Sequence, residues 1–337
     1  MATYVAEALN DPSKFFKVQL YTGTGSSNAI TFNDTDTDMA PDLVWVKKRD
    51  ATGDHYANDS VRGVTKKLEI NSTSQEETDA NSLTAFGSDG FTVGSTGAFN
   101  SSSNTFVAWC WKESATSGFD IVTYSGSGSA RTISHSLSAV PKMIIIKNRD
   151  TVKSWQVGHE SIGWGNGIYL NETSASQSDN GAFNSTDPTT SVFSLGTSSY
   201  VNTSSDDYVA YLWSEKQGFS KFGSYVGNNG GSDGVFVYTG FRPKLVIQKL
   251  SSGSGANWIM RDTARDTYNP MDNQIEANTL DAKEDNHAID FLSNGFKTRA
   301  NGLNQQDNGE TYIYMAFAEA PFVNSNGVPC NARWLIE

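Results

Sequence analysis

One string of residues occurs three times. PDLVWVK from Pro41 returns as PKMIIIK from Pro141 and as PKLVIQK from Pro243, 100 and 102 residues apart. A second landmark follows in each unit: FVAWCWKE from Phe106, YVAYLWSE from Tyr208 and YIYMAFAE from Tyr312, whose closing Glu113, Glu215 and Glu319 are 102 and 104 residues apart. A third opens each unit with an aromatic stretch running into Tyr and Gly: FKVQLYTG from Phe16, FDIVTYSG from Phe119 and FGSYVG from Phe222. Gly90-Phe91 and Gly295-Phe296 match across the first and third units, with Val192-Phe193 in that place in the second. A period of this kind fixes the architecture before any single motif is read. It divides the chain into an arm at residues 1–15, repeats at 16–118, 119–218 and 219–320, and a tail at 321–337.

Within a repeat the periodicity is that of strands. In YVAYLW, Tyr208, Ala210 and Leu212 point to one face and Val209, Tyr211 and Trp213 to the other, because side chains alternate along a strand. Both sets are apolar, so both faces are expected to be covered, with Trp45, Trp111, Trp213 and the run Ile144 to Ile146 in cores. The run MIIIK from Met143 is continuous and β-branched, as a buried strand reads. Between such runs lie glycine- and asparagine-rich stretches such as Gly227 to Gly234, which favour turns. Each repeat exceeds a solenoid coil of about 20 to 50 residues. The expected fold is therefore all-β: three tandem β-sandwich, jelly-roll-like modules of about 100 residues with a short N-terminal arm. The repeat leaves open whether they stand in a row or pack about a pseudo-threefold axis. A helix is expected only over residues 2–9, ATYVAEAL, ahead of the breaker cluster Asn10-Asp11-Pro12, and the arm containing it reads as an attachment element.

A formal charge of −12 and a pI of 4.8 repel phosphate backbones and anionic lipid, so nucleic acid is not expected as a partner. No stretch approaches the roughly 18 apolar residues of a membrane helix, and no basic-then-apolar leader opens the chain, so membrane insertion is not expected and the chain is read as made and kept soluble. Of the two cysteines, Cys110 sits inside the apolar run FVAWCW and reads as a small buried thiol, although a bridge to Cys330 is the other option.

The search for chemistry returns little. Glu113, Glu215 and Glu319 invite comparison with a glycosidase carboxylate pair, but a residue that recurs once per repeat answers to the fold of the repeat, and an active site needs unlike residues converging. No enzyme activity and no cofactor are expected. Asp59 with Arg62 recurs as Asp262 with Arg265, while the second repeat has His159 and Ile162 there; the pattern reads as a loop-fixing ion pair. His55, His135, His159 and His287 show no metal-ligand spacing. Asp34, Asp36 and Asp38 raise a calcium question, but the glycine and distal carboxylate of a calcium loop are missing, and no metal site is expected. Asn-x-Ser/Thr triplets at Asn33, Asn58, Asn71, Asn171 and Asn184 follow from composition. What remains is binding: Trp164 in GWGNG, Tyr169 and Tyr200 stand among Gly, Ser and Asn, where an aromatic face stacks on a sugar or covers its own module.

The ordered landmarks carry a resemblance. DPSKFF at Asp11, YTGTG at Tyr21, PDLVWVK at Pro41, DSVRG at Asp59, DGF at Asp89, YVA at Tyr208 and AFAEAPFVNSNGVPCNAR from Ala316 are similar to the repeat region of tail-fibre-like and other virion structural proteins of marine bacteriophages. The resemblance implies location in the virion after synthesis in the host cytoplasm. It implies a structural protein, most directly a tail fibre or spike-type appendage in host-surface attachment, with a host glycan or protein as partner. A capsid or tail decoration or adaptor protein that binds other virion proteins is the second class, and a glycan depolymerase the third. Phage fibres and spikes commonly trimerise, so the resemblance also implies a homotrimer docked through the arm. Such proteins often carry a lectin-like domain ahead of the repeats; only about ten residues precede DPSKFF, which favours a compact particle component.

Overall fold

The computed structural model describes residues 9, 11–32, 37–302 and 304–321. Among the described residues the molecule is all-β, built of antiparallel sheets, with only single-turn helices. The first repeat contributes β1 (Phe16–Thr22), β2 (Asn28–Thr31), β3 (Leu43–Lys48), β4 (His55–Asp59), β5 (Lys66–Glu69), β6 (Glu77–Thr78), β7 (Leu83–Gly87), β8 (Gly90–Val93) and β9 (Thr105–Trp111). The second contributes β10 (Phe119–Ser125), β11 (Arg131–Ser134), β12 (Pro141–Asn148), β13 (Gln156–His159), β14 (Asn166–Tyr169), β15 (Gln177–Ser178), β16 (Val192–Leu195) and β17 (Asp207–Ser214). The third contributes β18 (Ser220–Val226), β19 (Phe236–Tyr238), β20 (Phe241–Leu250), β21 (Trp258–Asp262), β22 (Met271–Glu276), β23 (Glu284–Leu292), β24 (Gly295–Thr298) and β25 (Thr311–Pro321).

Three sheets share one strand order. They run β1-β9-β3-β4-β5-β6, then β10-β17-β12-β13-β14-β15, then β18-β25-β20-β21-β22-β23-β24-β19. Register repeats too: Phe16 faces Trp111, Phe119 faces Trp213 and Ser220 faces Phe317. Smaller sheets, β2-β8-β7 and β11-β16, accompany the first two, whereas in the third repeat β22 and β23 fuse both parts into one eight-stranded sheet. Pro141 and Pro243 sit where β12 and β20 shift register against their neighbours, the bulge positions at which a strand tolerates a residue without an N–H.

The Tyr-x-Gly landmark has a local cause. Tyr21, Tyr124 and Tyr225 stack on Phe106, Tyr208 and Tyr312 with centroids 5.1 Å apart in each case. Their hydroxyls donate to the carbonyls of Phe99, Val201 and Gln305 at 2.8, 2.8 and 2.6 Å, pinning the loop ahead of the last strand. Two residues on, a Cβ on Gly23, Gly126 or Gly227 would lie 2.1, 1.9 or 2.2 Å from a carbonyl oxygen of that same loop, so only glycine lets the backbones meet.

The two apolar faces of the central strands do different jobs. One face, with Val44, Val46 and Ala108 in the first repeat, packs against Ile30, Leu83, Phe91 and Val93 of the small sheet, and the other repeats have corresponding clusters of their own. The opposite face belongs to no single repeat: Trp45, Trp109, Trp111, Ile145, Tyr211, Trp213, Ile247, Met315 and Phe317 form one core shared by all three. Trp111 meets Trp213 at 6.2 Å and Phe317 at 5.7 Å, so the equivalent aromatic of each repeat comes to one place. Burying each such ring contributes roughly 1.5–3 kcal/mol.

The tryptophan and lysine bonds around this core run in one sense. Trp155 Nε1 of the second repeat donates to Glu69 O of the first at 2.8 Å, and Trp258 Nε1 of the third to Tyr169 O of the second at 2.9 Å. The lysine that ends each PxxxxxK string does likewise: Lys147 Nζ reaches Thr73 O at 3.3 Å, Lys249 Nζ reaches Thr173 O at 3.0 Å, and Lys47 Nζ reaches Leu280 O at 3.1 Å. Backbone amides of Glu76, Ser176 and Lys283 donate in the opposite sense, to the carbonyls of Arg149, Ser251 and Arg49 at 2.8, 3.1 and 2.9 Å. The tryptophan and lysine bonds, second on first, third on second and first on third, close a cycle.

Part of the arm is tied into this body. Asp11 caps the single turn Pro12–Lys14 by accepting from Ser13 N at 3.1 Å, with Pro12 at the position that needs no N–H. Phe15 O accepts from Lys112 N at 2.9 Å, and the Phe15 ring meets Phe219 edge-on at 6.2 Å, so residues 11–15 bridge the first and third repeats. The helix expected over residues 2–9 lies outside the described residues apart from Leu9, which is partly buried against the shared core. Cys110 is a free buried thiol whose pKa burial pushes up, while Cys330 and the tail beyond Pro321 lie outside the described residues.

Candidate functional site

The recurring Asp and Arg occupy the seams between repeats. Arg62 Nε donates to Asp59 Oδ2 at 2.5 Å with both side chains fully enclosed, and Arg265 Nε to Asp262 Oδ2 at 2.6 Å. Each carboxylate also holds a group from another repeat: Asp59 Oδ2 accepts from Tyr211 hydroxyl at 2.6 Å, and Asp262 Oδ2 from Trp109 Nε1 at 3.0 Å. Burial works against the Arg62 charge, but Tyr211, Asp59 and Glu76 outweigh it and hold its pKa above the usual range. The second repeat solves the same seam differently, with His159 Nε2 3.2 Å from Tyr314 O. Burial pushes that imidazole down to about 4, so it is neutral at ordinary pH. These pairs orient the repeats; every polar end is taken up inside the protein.

The closing glutamates have three separate settings. Glu215 pairs with Lys221 at 2.7 Å and Glu319 with Arg242, both part-exposed. Asp120 holds in the second repeat the register place that Lys221 holds in the third, so Glu113 meets a carboxylate instead of an ammonium. Burial, then the hydrogen bond with Asp120, raises Glu113 to about 7. No two of the glutamates form a pair.

Among the described residues no group of three or more His, Cys, Asp or Glu side chains is placed to hold a metal. Asp34 and Asp36 lie outside the described residues, and Asp38 is exposed. His55 is fully enclosed where Trp155 and Trp258 stand in the other repeats; its Nδ1 accepts from Trp45 Nε1 at 3.0 Å, and burial, then Lys47, holds its pKa well below the usual value. A cavity of about 20 Å³ between the first and second repeats is lined by Trp45, Ile145, Trp155 and Tyr211 among others, which leaves space for a water-sized guest at most.

Of the three rings singled out as binding candidates, the structure brings two together and removes the third. Trp164 is only 5% exposed and packs edge-on against Phe183 at 5.2 Å. Gly158 on β13 leaves room that the Trp164 and Phe183 rings fill, so the ring covers its own module; a Cβ there would meet both at 2.6 Å. Tyr169 and Tyr200, both half-buried, lie with centroids 5.1 Å apart and planes at 44°. Lys153 Nζ sits 5.4 Å from the Tyr200 centroid and donates to Ser199 Oγ at 3.1 Å. Burial first, then Tyr200 and Asp179, raises the Tyr169 pKa.

Sequence reasoning missed Gln156 beside them. It pairs with Tyr169 across β13 and β14, so the two side chains share a face. Gln156 is fully enclosed, and neither end of its amide has a hydrogen-bond partner among the described residues. The amide lies over Gly167, where a Cβ would come within 2.1 Å of Nε2.

A family model described as a domain of unknown function (DUF7483) matches residues 11–321. No curated protein matches the chain.

Proposed function

The chain belongs to the DUF7483 family, and from that premise we propose that it is a non-enzymatic structural protein of a bacteriophage particle, a fibre- or spike-type appendage that attaches to the host surface. In this reading each repeat is a β-sandwich, jelly-roll-like module and the three close into a ring. The observation that carries it is the cycle of inter-repeat bonds, in which Trp155, Trp258 and the three lysines take up backbone carbonyls of the neighbouring repeat around one apolar core. Such a ring is a rigid body, and rigidity suits a part that has to hold binding loops outside a particle. Its net charge of −12 keeps it off the nucleic acid that the particle contains.

A second reading, an adaptor or decoration protein bound to other virion proteins, is favoured by apolar exposure in the third repeat: Phe236 is 44% exposed, Tyr238 58% and Tyr268 84%. The two differ in a cell-adsorption competition. Purified protein added before phage should block attachment under the first reading and leave it unchanged under the second. Light scattering on the same sample checks the trimer that the resemblance implies.

A further inference from the structure

We infer that the Tyr169–Tyr200 face of the second repeat is a carbohydrate subsite that takes a neutral hexopyranose unit of a surface polysaccharide. The inference rests on the attachment reading and adds to it a place and a ligand class. Its first support is that the fold does not ask for these residues. Tyr169 stands where the first and third repeats have Glu69 and Glu276, as the shared carbonyl-accepting position shows: Trp155 bonds Glu69 O and Trp258 bonds Tyr169 O. Tyr200 precedes Val201, whose carbonyl accepts from Tyr124 as those of Phe99 and Gln305 do from Tyr21 and Tyr225. Its counterparts are therefore Ala98 and Asn304. Gln156 likewise takes the place of Tyr56 and Ile259. Three changes from the repeat meet on one face.

The second support is chemical. Two rings inclined at 44° give a half-open aromatic wall, and the apolar C–H face of a pyranose packs on such a wall. Gln156 beside it offers one donor and one acceptor, both unpartnered, which is the pattern that pairs with two vicinal hydroxyls. Leaving both unmade is unfavourable, so the site gains when hydroxyls reach it. The amide is enclosed, and the residue opposite it across β13 and β14 is the half-buried Tyr169, so a ligand reaches it only if that side chain gives way. Asp179 and Glu172 act on the Tyr169 hydroxyl and the Lys153 ammonium lies 5.4 Å from the Tyr200 centroid, so two carboxylates stand against one cation and a neutral sugar is preferred to a uronic acid.

The test uses the full chain with named probes: maltotriose, cellotriose and mannotriose as neutral sugars, and trigalacturonate as the acidic one, read by saturation-transfer NMR. Saturable binding of at least one neutral sugar is expected, with none of trigalacturonate. Tyr200→Ala and Tyr169→Glu introduce the first repeat's own residues, so folding should hold while affinity falls by about tenfold or more. Gln156→Ile, the third repeat's residue, should fall similarly. Unaltered thermal melting keeps the variants interpretable. No neutral sugar saturating by about 10 mM, tighter binding of trigalacturonate, or variants that bind like the parent chain would each overturn the inference. If the chain blocks phage adsorption and Tyr169→Glu/Tyr200→Ala blocks it equally, the subsite fails and the attachment reading stands. If sugar binds but adsorption is never blocked, the reverse holds.

Discussion

The seams between repeats are built alike in their apolar parts and unlike in their polar ones. Where the first repeat meets the second, Asp59 and Arg62 are enclosed together with Tyr211. Where the second meets the third, neutral His159 faces Tyr314 O and Ile162 packs nearby against the shared core. Both seams keep the lysine and tryptophan bonds to backbone carbonyls. The difference teaches that the buried ion pair is one of two ways to finish a seam, whereas the apolar face and the carbonyl bonds are common to both. A buried pair is weak evidence for stability in itself, because desolvation offsets its attraction.

The largest effect should come from the common part. Truncating Trp213, 3% exposed in the shared core, to Ala should cost about 3–5 kcal/mol in urea unfolding. A cost below about 1 kcal/mol would mean that the core is not shared as described.

The next effect separates the two kinds of seam. Arg62→Met leaves Asp59 enclosed without its counter-charge and should cost about 3 kcal/mol. Installing the second repeat's residues together, Asp59→His with Arg62→Ile, should recover most of that loss. If the double variant is as unstable as the single, the ion pair is indispensable at its own seam and the comparison breaks.

The smallest effects concern Glu113 and Glu215, equivalent residues with opposite partners. Glu113 is raised to about 7 from an ordinary 4.5, so the folded chain keeps its proton where the unfolded chain has lost it. That contribution is complete below pH 4.5 and is lost as pH rises through about 7. Glu113→Gln should therefore stabilise the protein at pH 8, by about 1 kcal/mol or less because the group is half exposed, and do little at pH 4. Glu215→Gln removes a part-exposed pair with Lys221 and should cost about 0.5 kcal/mol at pH 8. Same-sign effects of the two substitutions at pH 8 would refute the assignment of partners.

What the sequence made legible follows from the range of each interaction. Strands and their doubly apolar faces are local, so YVAYLW and MIIIK could be read directly, and the burial of Trp45, Trp111, Trp213 and Ile144 to Ile146 agrees. The cycle was not legible, because Trp155 bonds a backbone carbonyl 86 residues away and a carbonyl leaves no trace in residue identity. One signal was available: Lys47, Lys147 and Lys249 end an apolar run in all three copies, where a solvated charge has no reason to recur. Of the two readings open for Trp164, it is the ring covering its own module that the structure shows, and the space it fills is opened by Gly158 on a different strand, which loop composition does not reveal. Gln156 stood out only against Tyr56 and Ile259, a comparison that needs the strand register.

The central claim, that three repeats close on one another around a common core, is tested most directly by scanning calorimetry of the full chain. One shared core should unfold as one cooperative unit, with a ratio of calorimetric to van't Hoff enthalpy of about 1. Three resolved transitions, or a ratio of about 3, would show three independently folding repeats and contradict it.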